Sequence, residues 1–146
     1  MYKLRHTKTA DYLFIYNLSK LVNKSRIIQT YGSWDENFQK EVFNKKFNIK
    51  NIKIITLDGL DIGSLEIETT KNNIHINEIQ LLPKYQGRGI GTKILQDLII
   101  HAKLNKIDLD LKVLKINPAK RLYERIGFII CKETNTHYFM NFITRP

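Results

Sequence analysis

A glycine-rich segment, Gln86–Thr92, is the part of the chain whose residue types most clearly suit ligand binding. It follows a predicted strand and opens a predicted helix. Glycines allow a sharp turn and let a ligand approach the backbone without a Cβ clash. The free N–H groups of a helix start point toward an anion, and the helix dipole favours negative charge there. The spacing therefore predicts a diphosphate site, to which Arg88 could add a charged donor.

Two common phosphate-binding motifs do not fit this segment. A P-loop needs Gly-Lys-Ser/Thr after four spacer residues, and that sequence is absent. A dinucleotide fingerprint needs an acidic residue about 20 residues further on, at the end of the next strand. Asp108 and Asp110 lie near that distance, but at the start of their strand, where they cannot reach a ribose. Taken alone, the glycines fit an ordinary tight turn equally well.

Two motifs together make the sequence similar to a known family. Gln86-x-x-Gly89-x-Gly91, directly after Leu81–Tyr85, resembles the acetyl-CoA pyrophosphate loop of the GNAT superfamily of N-acetyltransferases. Downstream, Asn117–Phe128 resembles the Leu-Tyr-Glu-x-x-Gly-Phe segment of that family. The likeness covers nearly the whole chain. It implies an α/β fold with a mixed, mostly antiparallel sheet, helices on both of its faces and a splayed central strand pair.

The resemblance also implies roles in binding acetyl-CoA. The backbone amides of Gly87–Thr92 would hold the pyrophosphate, and a bulged strand at Ile79–Leu81 would hold the pantetheine and the acetyl carbonyl. Tyr123 matches the tyrosine near the sulfur of CoA and would be the general acid, whereas its apolar helix face alone would favour a core tyrosine. Asn117 stands one residue closer to its alanine than in many members, so a helix N-cap is its simpler interpretation. No metal is expected. The cofactor-binding candidates are Ile79, Gln80, Leu81, Gln86, Gly87, Arg88, Gly89, Ile90, Gly91, Thr92 and Asn117.

The transfer chemistry needs a group that removes a proton from the attacking amine. An alkylamine has a pKa near 10.4, and it must be neutral to attack the thioester carbonyl. Glu78 and His75, on the strand before the loop, are the candidate bases. His75 lies roughly 13 Å upstream of Ile79, so it would need a water relay. We favour a relay that includes Glu78, with His75 as the alternative, and a solvated strand position is the competing interpretation of both.

The candidates for binding the acceptor lie on the predicted second helix and the last strand. They are Trp34, Glu36, Gln39 and His137. The resemblance implies that this helix and its approach wall the acceptor pocket. Packing is the favoured interpretation for Trp34 and an equal alternative for the others. Cys131, in an apolar strand, is expected to be inert core.

The elements that must position these residues follow from hydrophobic spacing and turn residues. The predicted order is β-α-α-β-β-β-α-β-α-β-β, an α/β layered domain with a mixed sheet. Thr9 is expected to cap the first helix, and Asn117, Pro118 and Gly127 are expected to be the N-cap, first residue and C′ residue of the last. The predicted strands are Tyr2–His6, Ile52–Leu57, Ile62–Thr69, Ile74–Leu82, Leu109–Val113, Phe128–Lys132 and His137–Ile143, and the other helices are Trp34–Phe47 and Gly89–Lys103.

Length and composition exclude several classes of protein. With 146 residues, 42% of them hydrophobic, the chain suits one soluble domain over 1–146. No apolar run approaches the roughly 18 residues of a membrane helix, and the N-terminus does not resemble a signal peptide. A single cysteine can form neither an internal disulfide nor a thiolate metal site. A cytoplasmic protein is therefore expected.

The net charge of +10 has more than one interpretation. The 24 Lys and Arg residues are scattered along the chain, so a lysine-rich solvated surface is favoured over an anionic ligand or partner. Specific nucleic-acid binding is not expected, because no recognition motif is present. No membrane partner is expected either, and a homodimer remains open.

The combined prediction is an N-acetyltransferase that moves an acetyl group from acetyl-CoA to the primary amine of a small molecule by direct attack on the thioester. A protein N-terminus or lysine is the second class of acceptor. A non-catalytic acyl-CoA-binding module on the same fold is the rival from another functional class.

Overall fold

Seven strands and four helices make up the computed structural model, which describes residues 1–144. The strands are β1 (Tyr2–His6), β2 (Ile52–Leu57), β3 (Leu60–Thr69), β4 (Asn73–Leu81), β5 (Asp108–Leu114), β6 (Ile129–Glu133) and β7 (His137–Phe142). The helices are α1 (Tyr12–Tyr31), α2 (Glu36–Lys46), α3 (Ile90–Asn105) and α4 (Ala119–Arg125). The strands form one sheet in the order β1-β2-β3-β4-β5-β7-β6, which confirms the predicted mixed α/β class.

The chain divides into two compact units, each described by itself below. The first comprises Met1–Glu66 and Ile79–Gln86, and the second comprises Ile67–Glu78 and the chain from Gly87 onward. β3 and β4 each contribute residues to both units.

The first unit is built on the antiparallel strands β1, β2 and β3. Its apolar cluster joins Ile15 of α1 to Ile52 and Ile54 of β2, all at most 4% exposed. Phe43 and Phe47 pack against this cluster from the region of α2, and the rings meet each other at a centroid distance of 5.5 Å. The spacing of these apolar residues along the chain thus builds a core that fixes both helices on the strands.

The start of α1 differs from the prediction. Thr9 does not cap the helix; it opens a short 3-10 turn, Thr9–Asp11, and α1 begins at Tyr12. The carboxylate of Asp11 accepts a hydrogen bond from the N–H of Lys8 at 2.8 Å. Asp11 also receives two hydrogen bonds from the guanidinium of Arg5, each of 2.9 Å. A charged acceptor with an arginine partner replaces the neutral threonine as the group that fixes this turn.

The start of α2 also lies two residues later than predicted. The side chain of Asp35 accepts a hydrogen bond from the N–H of Phe38 at 3.0 Å and caps the helix. Trp34 therefore precedes the cap and lies outside the helix. The prediction overlooked Asp35 because the apolar Trp34 matched the helical spacing.

The second unit is centred on β5, whose alternating residues Leu109, Leu111 and Val113 are buried. β5 pairs in parallel with β4 over Asn73–Ile76 and antiparallel with β7. The register places Leu111 opposite Met140, which is fully buried. α3 adds its own apolar stripe, of which Ile94, Leu95, Ile99 and Ala102 are buried.

In the last part of the second unit, the bounds of α4 and the exposure of β6 can be compared with the prediction residue by residue. α4 begins at Ala119, one residue later than predicted, so Pro118 and not Asn117 is its N-cap residue. Asn117 lies before the cap, and its side chain accepts the N–H of Ala119 at 3.0 Å. Gly127 lies at the C′ position after α4, as predicted. Cys131 was expected in the core but is exposed, because β6 is an edge strand. Its thiol donates to the carbonyl oxygen of Phe139 at 3.3 Å.

Candidate active site

The glycine-rich segment forms a turn that leads directly into α3. Gly87 and Gly89 have φ values of +72° and +82°, in the left-handed region that favours glycine. α3 begins at Ile90 with Gly89 as its N-cap, and the N–H of Lys93 bonds the carbonyl oxygen of Gly89 at 3.0 Å. The two glycines are therefore required by the turn itself.

The geometry of this turn suits an anion. A Cβ built on Gly87, Gly89 or Gly91 would meet no other heavy atom within 4 Å, so the space beside the loop is open. No side chain among the described residues caps the first turn of α3. α3 has 16 residues, which gives its start the partial positive charge of a long helix dipole. These features fit the pyrophosphate of a nucleotide-like cofactor.

The end of β4 lies in the first unit and is held by several contacts. The N–H of Leu82 bonds the carbonyl oxygen of Ile62 on β3 at 2.8 Å. The side-chain amide of Gln86 donates to the carbonyl oxygen of Leu81 at 2.9 Å. Gln86 therefore fixes the strand that precedes the loop. The side chain of Gln80 is buried, at 3% exposure for the residue.

Regular alternation breaks down along β4. Ile74 and Ile76 are buried, so a regular strand would bury Glu78 on the same face. Glu78 is exposed instead, and the adjacent residues Gln80 and Leu81 are both buried. A change in which side chains are buried is the expected effect of a local irregularity in a strand.

His75 lies on β4 in the second unit and pairs with a carboxylate. The register places His75 opposite Asp110 of β5, and the Nδ1 atom of His75 is hydrogen-bonded to the Asp110 carboxylate. The two side chains are 39% and 43% exposed, so solvent reaches both. With Nδ1 engaged, Nε2 is the ring nitrogen that could exchange a proton. Asp110 was considered only as a ribose ligand in the sequence, and its pairing with His75 was missed.

Tyr123 lies on α4 with its ring against the core of the second unit. Its centroid is 5.9 Å from that of Phe128 in an edge-to-face arrangement, and Phe128 is 2% exposed. Phe128 in turn contacts Phe142 at 5.7 Å. The packing fixes the direction of the tyrosine ring, so the core and catalytic interpretations of this residue are compatible.

Glu36 begins α2 and is already engaged within the first unit. Its carboxylate accepts hydrogen bonds from the hydroxyl of Tyr16 and the ammonium of Lys20. The Lys20 bond, followed by the Tyr16 bond, lowers the pKa of Glu36 to about 2. The same Glu36 bond, together with burial, raises the pKa of Tyr16 to about 12. These three residues form a charge-assisted group that sequence spacing did not predict.

The other acceptor candidates differ in their surroundings. Trp34 is half-buried, and the ammonium of Lys24 lies 5.9 Å from the centroid of its ring. Gln39 is half-buried on α2. His137 begins β7, and burial followed by the charge of Lys112 lowers its pKa below the ordinary value of 6.5. Both causes favour the neutral form of the His137 imidazole.

Gly63 is a residue that the sequence analysis missed. A Cβ at this position of β3 would stand 2.1 Å from the carbonyl oxygen of Gln80 on β4. The signal was available, because a glycine inside a strand pattern often marks the close approach of another backbone.

The described residues also include a groove, but no group that could hold a metal ion and no helix that could span a membrane. A groove of about 500 Å³ lies in the second unit between α3 and α4. It is lined by Thr92, Lys93, Gln96, Ile99, Ile100, Arg125 and Ile126. Among residues 1–144, no group of three or more His, Cys, Asp or Glu side chains is arranged to hold a metal ion. No helix in the same range is long and apolar enough to span a membrane.

Comparison with known proteins gives a family and a fold. The family described as "Acetyltransferase (GNAT) domain" matches residues 28–144. A [Ribosomal protein bS18]-alanine N-acetyltransferase from Haemophilus influenzae is 37% identical over 79 residues, which cover 53% of this chain and 53% of that protein. The match thus spans about half the length of this curated relative.

Two solved structures have the same fold. The PaiA N-acetyltransferase from Thermoplasma acidophilum, in complex with coenzyme A, superposes with a TM-score of 0.74 at 17% identity, over 98% of this chain and 99% of that one. Arabidopsis thaliana Naa50, in complex with the bisubstrate analogue CoA-Ac-MVNAL, gives a TM-score of 0.66 at 15% identity, over 96% and 97% of the two chains. At these identities the likeness concerns the fold.

Proposed function

The chain belongs to the GNAT acetyltransferase family, and from that premise we propose that it transfers an acetyl group from acetyl-CoA to the primary amine of a small molecule. The observation that carries the cofactor part is the open, uncapped start of α3 behind the left-handed glycines Gly87 and Gly89. The motif in the sequence and the open geometry of the turn both support a role for these backbone amides. The proposal treats residues 1–146 as one acetyltransferase domain.

Binding of acetyl-CoA divides between two stretches of backbone. The amides of Gly87–Thr92 would hold the pyrophosphate, with Arg88 as an additional charged donor. The backbone of Ile79–Leu81 would hold the pantetheine arm and the acetyl carbonyl. Gln86 supports the second stretch through its bond to the Leu81 carbonyl oxygen. Acetyl-CoA would supply the activated acetyl group, and the backbone of the protein would hold it in position for the attack.

The reaction needs no covalent intermediate with the enzyme. The neutral amine nitrogen attacks the thioester carbonyl, the carbon–sulfur bond breaks, and the amine loses a proton. The N–H of Ile79 is the proposed donor to the oxygen that becomes negative during the attack. The Tyr123 hydroxyl would hydrogen-bond the departing thiolate or protonate it.

The proton from the amine would leave through water toward Glu78 or His75. Exposure supports this role, because solvent reaches both side chains. The bond between Nδ1 of His75 and Asp110 fixes the imidazole and leaves Nε2 to receive a proton. A relay through water needs no direct contact between the base and the amine.

The acceptor contacts are proposed for Trp34, Glu36, Gln39 and His137. Glu36 would contribute through the polar group that it forms with Tyr16, since its carboxylate is already occupied. Asn117 is proposed to have a structural role, because its side chain holds the chain at the start of α4 through the bond to Ala119.

A protein N-terminus is the second candidate acceptor. The observation that favours it is the 37% identity to a ribosomal-protein alanine N-acetyltransferase. The alternative of a non-catalytic module that only binds acyl-CoA would use the same loop without turnover.

An acceptor screen separates the three possibilities. Purified protein is incubated with acetyl-CoA and either small primary amines or short peptides with free N-termini, and free CoA thiol and acetylated product are both measured. We expect CoA release and product with a small amine. Product from peptides only would replace the small-molecule proposal by the protein acceptor. Binding of acetyl-CoA by calorimetry without product from either panel would leave the non-catalytic module.

A further inference from the structure

Gly63 lies in the middle of β3, where glycine weakens a strand unless its lack of a side chain is needed. Its φ is outside the left-handed region, so its own backbone conformation does not require glycine. A Cβ there would stand 2.1 Å from the Gln80 carbonyl oxygen and 2.9 Å from Cδ2 of Leu81. The nearer obstacle is backbone, which cannot turn away as a side chain can. Space alone therefore requires glycine at position 63.

The backbone that passes Gly63 is the stretch assigned above to the pantetheine and the acetyl carbonyl. The peptide that joins Gln80 to Leu81 is planar and trans, so the N–H of Leu81 points opposite to the Gln80 carbonyl and away from Gly63. A shift of this peptide would displace Gln80 on one side and Leu81 on the other, and through Gln80 the adjoining Ile79. The distance at which β4 passes Gly63 thus sets the position of the proposed binding groups.

Other contacts in the first unit leave this stretch little freedom to adjust. Leu82 is tied to Ile62 of β3 by a backbone bond of 2.8 Å. Gln86 is bonded to the Leu81 carbonyl oxygen at 2.9 Å. The Gln80 side chain is buried, at 3% exposure for the residue. A methyl group at position 63 would push against a segment that is held at its C-terminal end by two hydrogen bonds.

We infer that Gly63 is a positioning residue for acetyl transfer, acting through the carbonyl of Gln80 on the backbone of Ile79–Leu81. This inference rests on the proposed function. A side chain at position 63 would displace the Gln80 peptide by about 1 Å, because a contact of 2.1 Å must open beyond 3.0 Å. A misplacement of about 1 Å at a reacting centre can lower a rate about 100-fold.

The test compares Gly63→Ala with Ile54→Val. Ile54 is a fully buried residue of β2 opposite Ser64, and its shortening loosens the same core without adding an atom beside β4. We expect Gly63→Ala to lower kcat by about 10- to 100-fold. The Kd for CoA should rise by a smaller factor, because the stretch that would hold the pantetheine shifts while the glycines that would hold the pyrophosphate are untouched. Ile54→Val should keep the wild-type kcat. Circular dichroism and thermal unfolding establish that each variant is folded at the assay temperature.

The double variant Gly63→Ala/Leu81→Ala asks which obstacle matters. Removing the Leu81 side chain leaves the Gln80 carbonyl oxygen in place, so no recovery of kcat is expected. Recovery would show that the obstacle is a side chain and would overturn the role given to the backbone.

The failure of this inference differs from the failure of the proposed function. A folded Gly63→Ala variant with the kcat of the wild type overturns the inference alone, whereas a wild-type protein without acetyl transfer to any amine overturns the proposed function.

If Gly63→Ala does not fold, the wild type still provides a test by NMR. A nuclear Overhauser contact between the α protons of Gly63 and a δ methyl of Leu81 is expected from the 2.9 Å approach. Its absence would show that β4 does not pass Gly63 at this distance, and the inference would then be overturned.

Discussion

The glycine-rich segment Gln86–Thr92 and the helical segment Tyr12–Lys46 were both given functional roles, but they differ in how they carry them. In the first, the proposed binding groups are backbone amides, and the space beside the glycines is open. In the second, the polar side chains are bonded to one another, as Glu36 is to Tyr16 and Lys20. Backbone amides can bind a ligand only where the chain has a particular conformation. That conformation restricts the residue types, so such a site is visible as a sequence motif. Side-chain recognition of an unknown acceptor leaves no comparable pattern.

The helical segment shows how structural needs use the same residue types as binding. Tyr12 contacts the rings of Phe43 and Phe47 at 5.6 and 5.2 Å, which holds the two helices together. Asp35 is used as a helix cap. An aromatic or acidic residue in this segment therefore has a structural explanation before it has a functional one. The predictions below are ordered by expected effect and test whether this difference holds.

The largest effect is expected when a charge is placed in the glycine loop. Gly89→Glu should weaken acetyl-CoA binding by more than about 100-fold, because like charges placed together at an interface cost several kcal/mol. The chain should remain folded, because a Cβ at this position meets no neighbour within 4 Å and the remaining cost, the strain of a side chain at a left-handed φ, is only about 1 to 2 kcal/mol. Calorimetry with acetyl-CoA on the folded variant measures the effect.

Gly59→Glu is the matched control for this variant. Gly59 has a φ of +80°, close to the +82° of Gly89, and its Cβ position is equally open. Gly59 lies in the turn between β2 and β3, outside the glycine-rich segment. Gly59→Glu therefore introduces the same charge and the same backbone strain as Gly89→Glu, but away from the proposed cofactor site. Equal losses of affinity in the two variants would remove the loop from the cofactor site.

The next effect is expected at the leaving group. Tyr123→Phe should lower kcat by about 10- to 1000-fold, the range for loss of a general acid, while the KM for acetyl-CoA changes little, because the hydroxyl is needed mainly as charge develops on sulfur. The ring contact with Phe128 is kept, so the fold should survive. Tyr31→Phe, at the exposed end of α1, serves as the control. Normal turnover in Tyr123→Phe would make the tyrosine a packing residue.

The elements were largely predictable from sequence because hydrophobic spacing and turn residues are local signals. The alternation at Leu109, Leu111 and Val113 predicted β5, and Gly127 predicted the end of α4. The errors came from tertiary context. Cys131 lies in an apolar run, yet it is exposed because its strand is at the sheet edge, and no local pattern reveals an edge.

The candidate site was predictable only in part, for the same reason. The glycine loop is a contiguous motif, so its residues were found together. The pairs His75–Asp110 and Gly63–Gln80 join residues on different strands, and their contacts depend on register. One-dimensional spacing carries no register between strands, and such partners emerge only from the folded chain.

A smaller effect is expected from a side-chain cluster near the helical segment. Asp11→Asn should lower the free energy of unfolding at neutral pH by about 1 to 2 kcal/mol, since the two 2.9 Å bonds from Arg5 lose their charge partner. The expected loss of unfolding free energy is smaller than for a fully buried pair, because the Arg5 side chain is 33% exposed and solvent screens the charges. Asp61→Asn is the control, because it contacts the same guanidinium from a side chain that is 39% exposed, against 13% for Asp11. Its loss should be smaller.

The pH dependence of this loss follows from the pKa of Asp11. The hydrogen bonds from Arg5 lower the pKa of Asp11 in the folded protein below its ordinary value of 3.8. The ionised carboxylate therefore stabilises the fold at pH values above 3.8. As the pH falls through the folded pKa, the carboxylate is protonated and this contribution is lost. Urea unfolding of wild type and Asp11→Asn should therefore differ at pH 7, and the difference should shrink as the pH falls below 3.8 and through the folded pKa. A constant difference across this range would show that the charge of Asp11 is not the cause.

The smallest functional effect is expected at Glu36, where the comparison between the two segments is most open to contradiction. Glu36→Gln keeps the shape of the side chain and removes its charge. Because that charge is already compensated by Lys20, the KM for the amine acceptor should change less than about tenfold, the factor that corresponds to 1.4 kcal/mol. The pKa of Tyr16, raised to about 12 chiefly by its bond to Glu36, should fall toward its ordinary value of 10.0. Tyrosine ionisation followed by ultraviolet absorbance reports this change, and Glu41→Gln, on the exposed side of the same helix, should leave it unaltered. A larger rise in the acceptor KM, with the Tyr16 pKa unchanged, would make Glu36 a direct ligand of the acceptor and show that the helical segment does carry a readable binding residue.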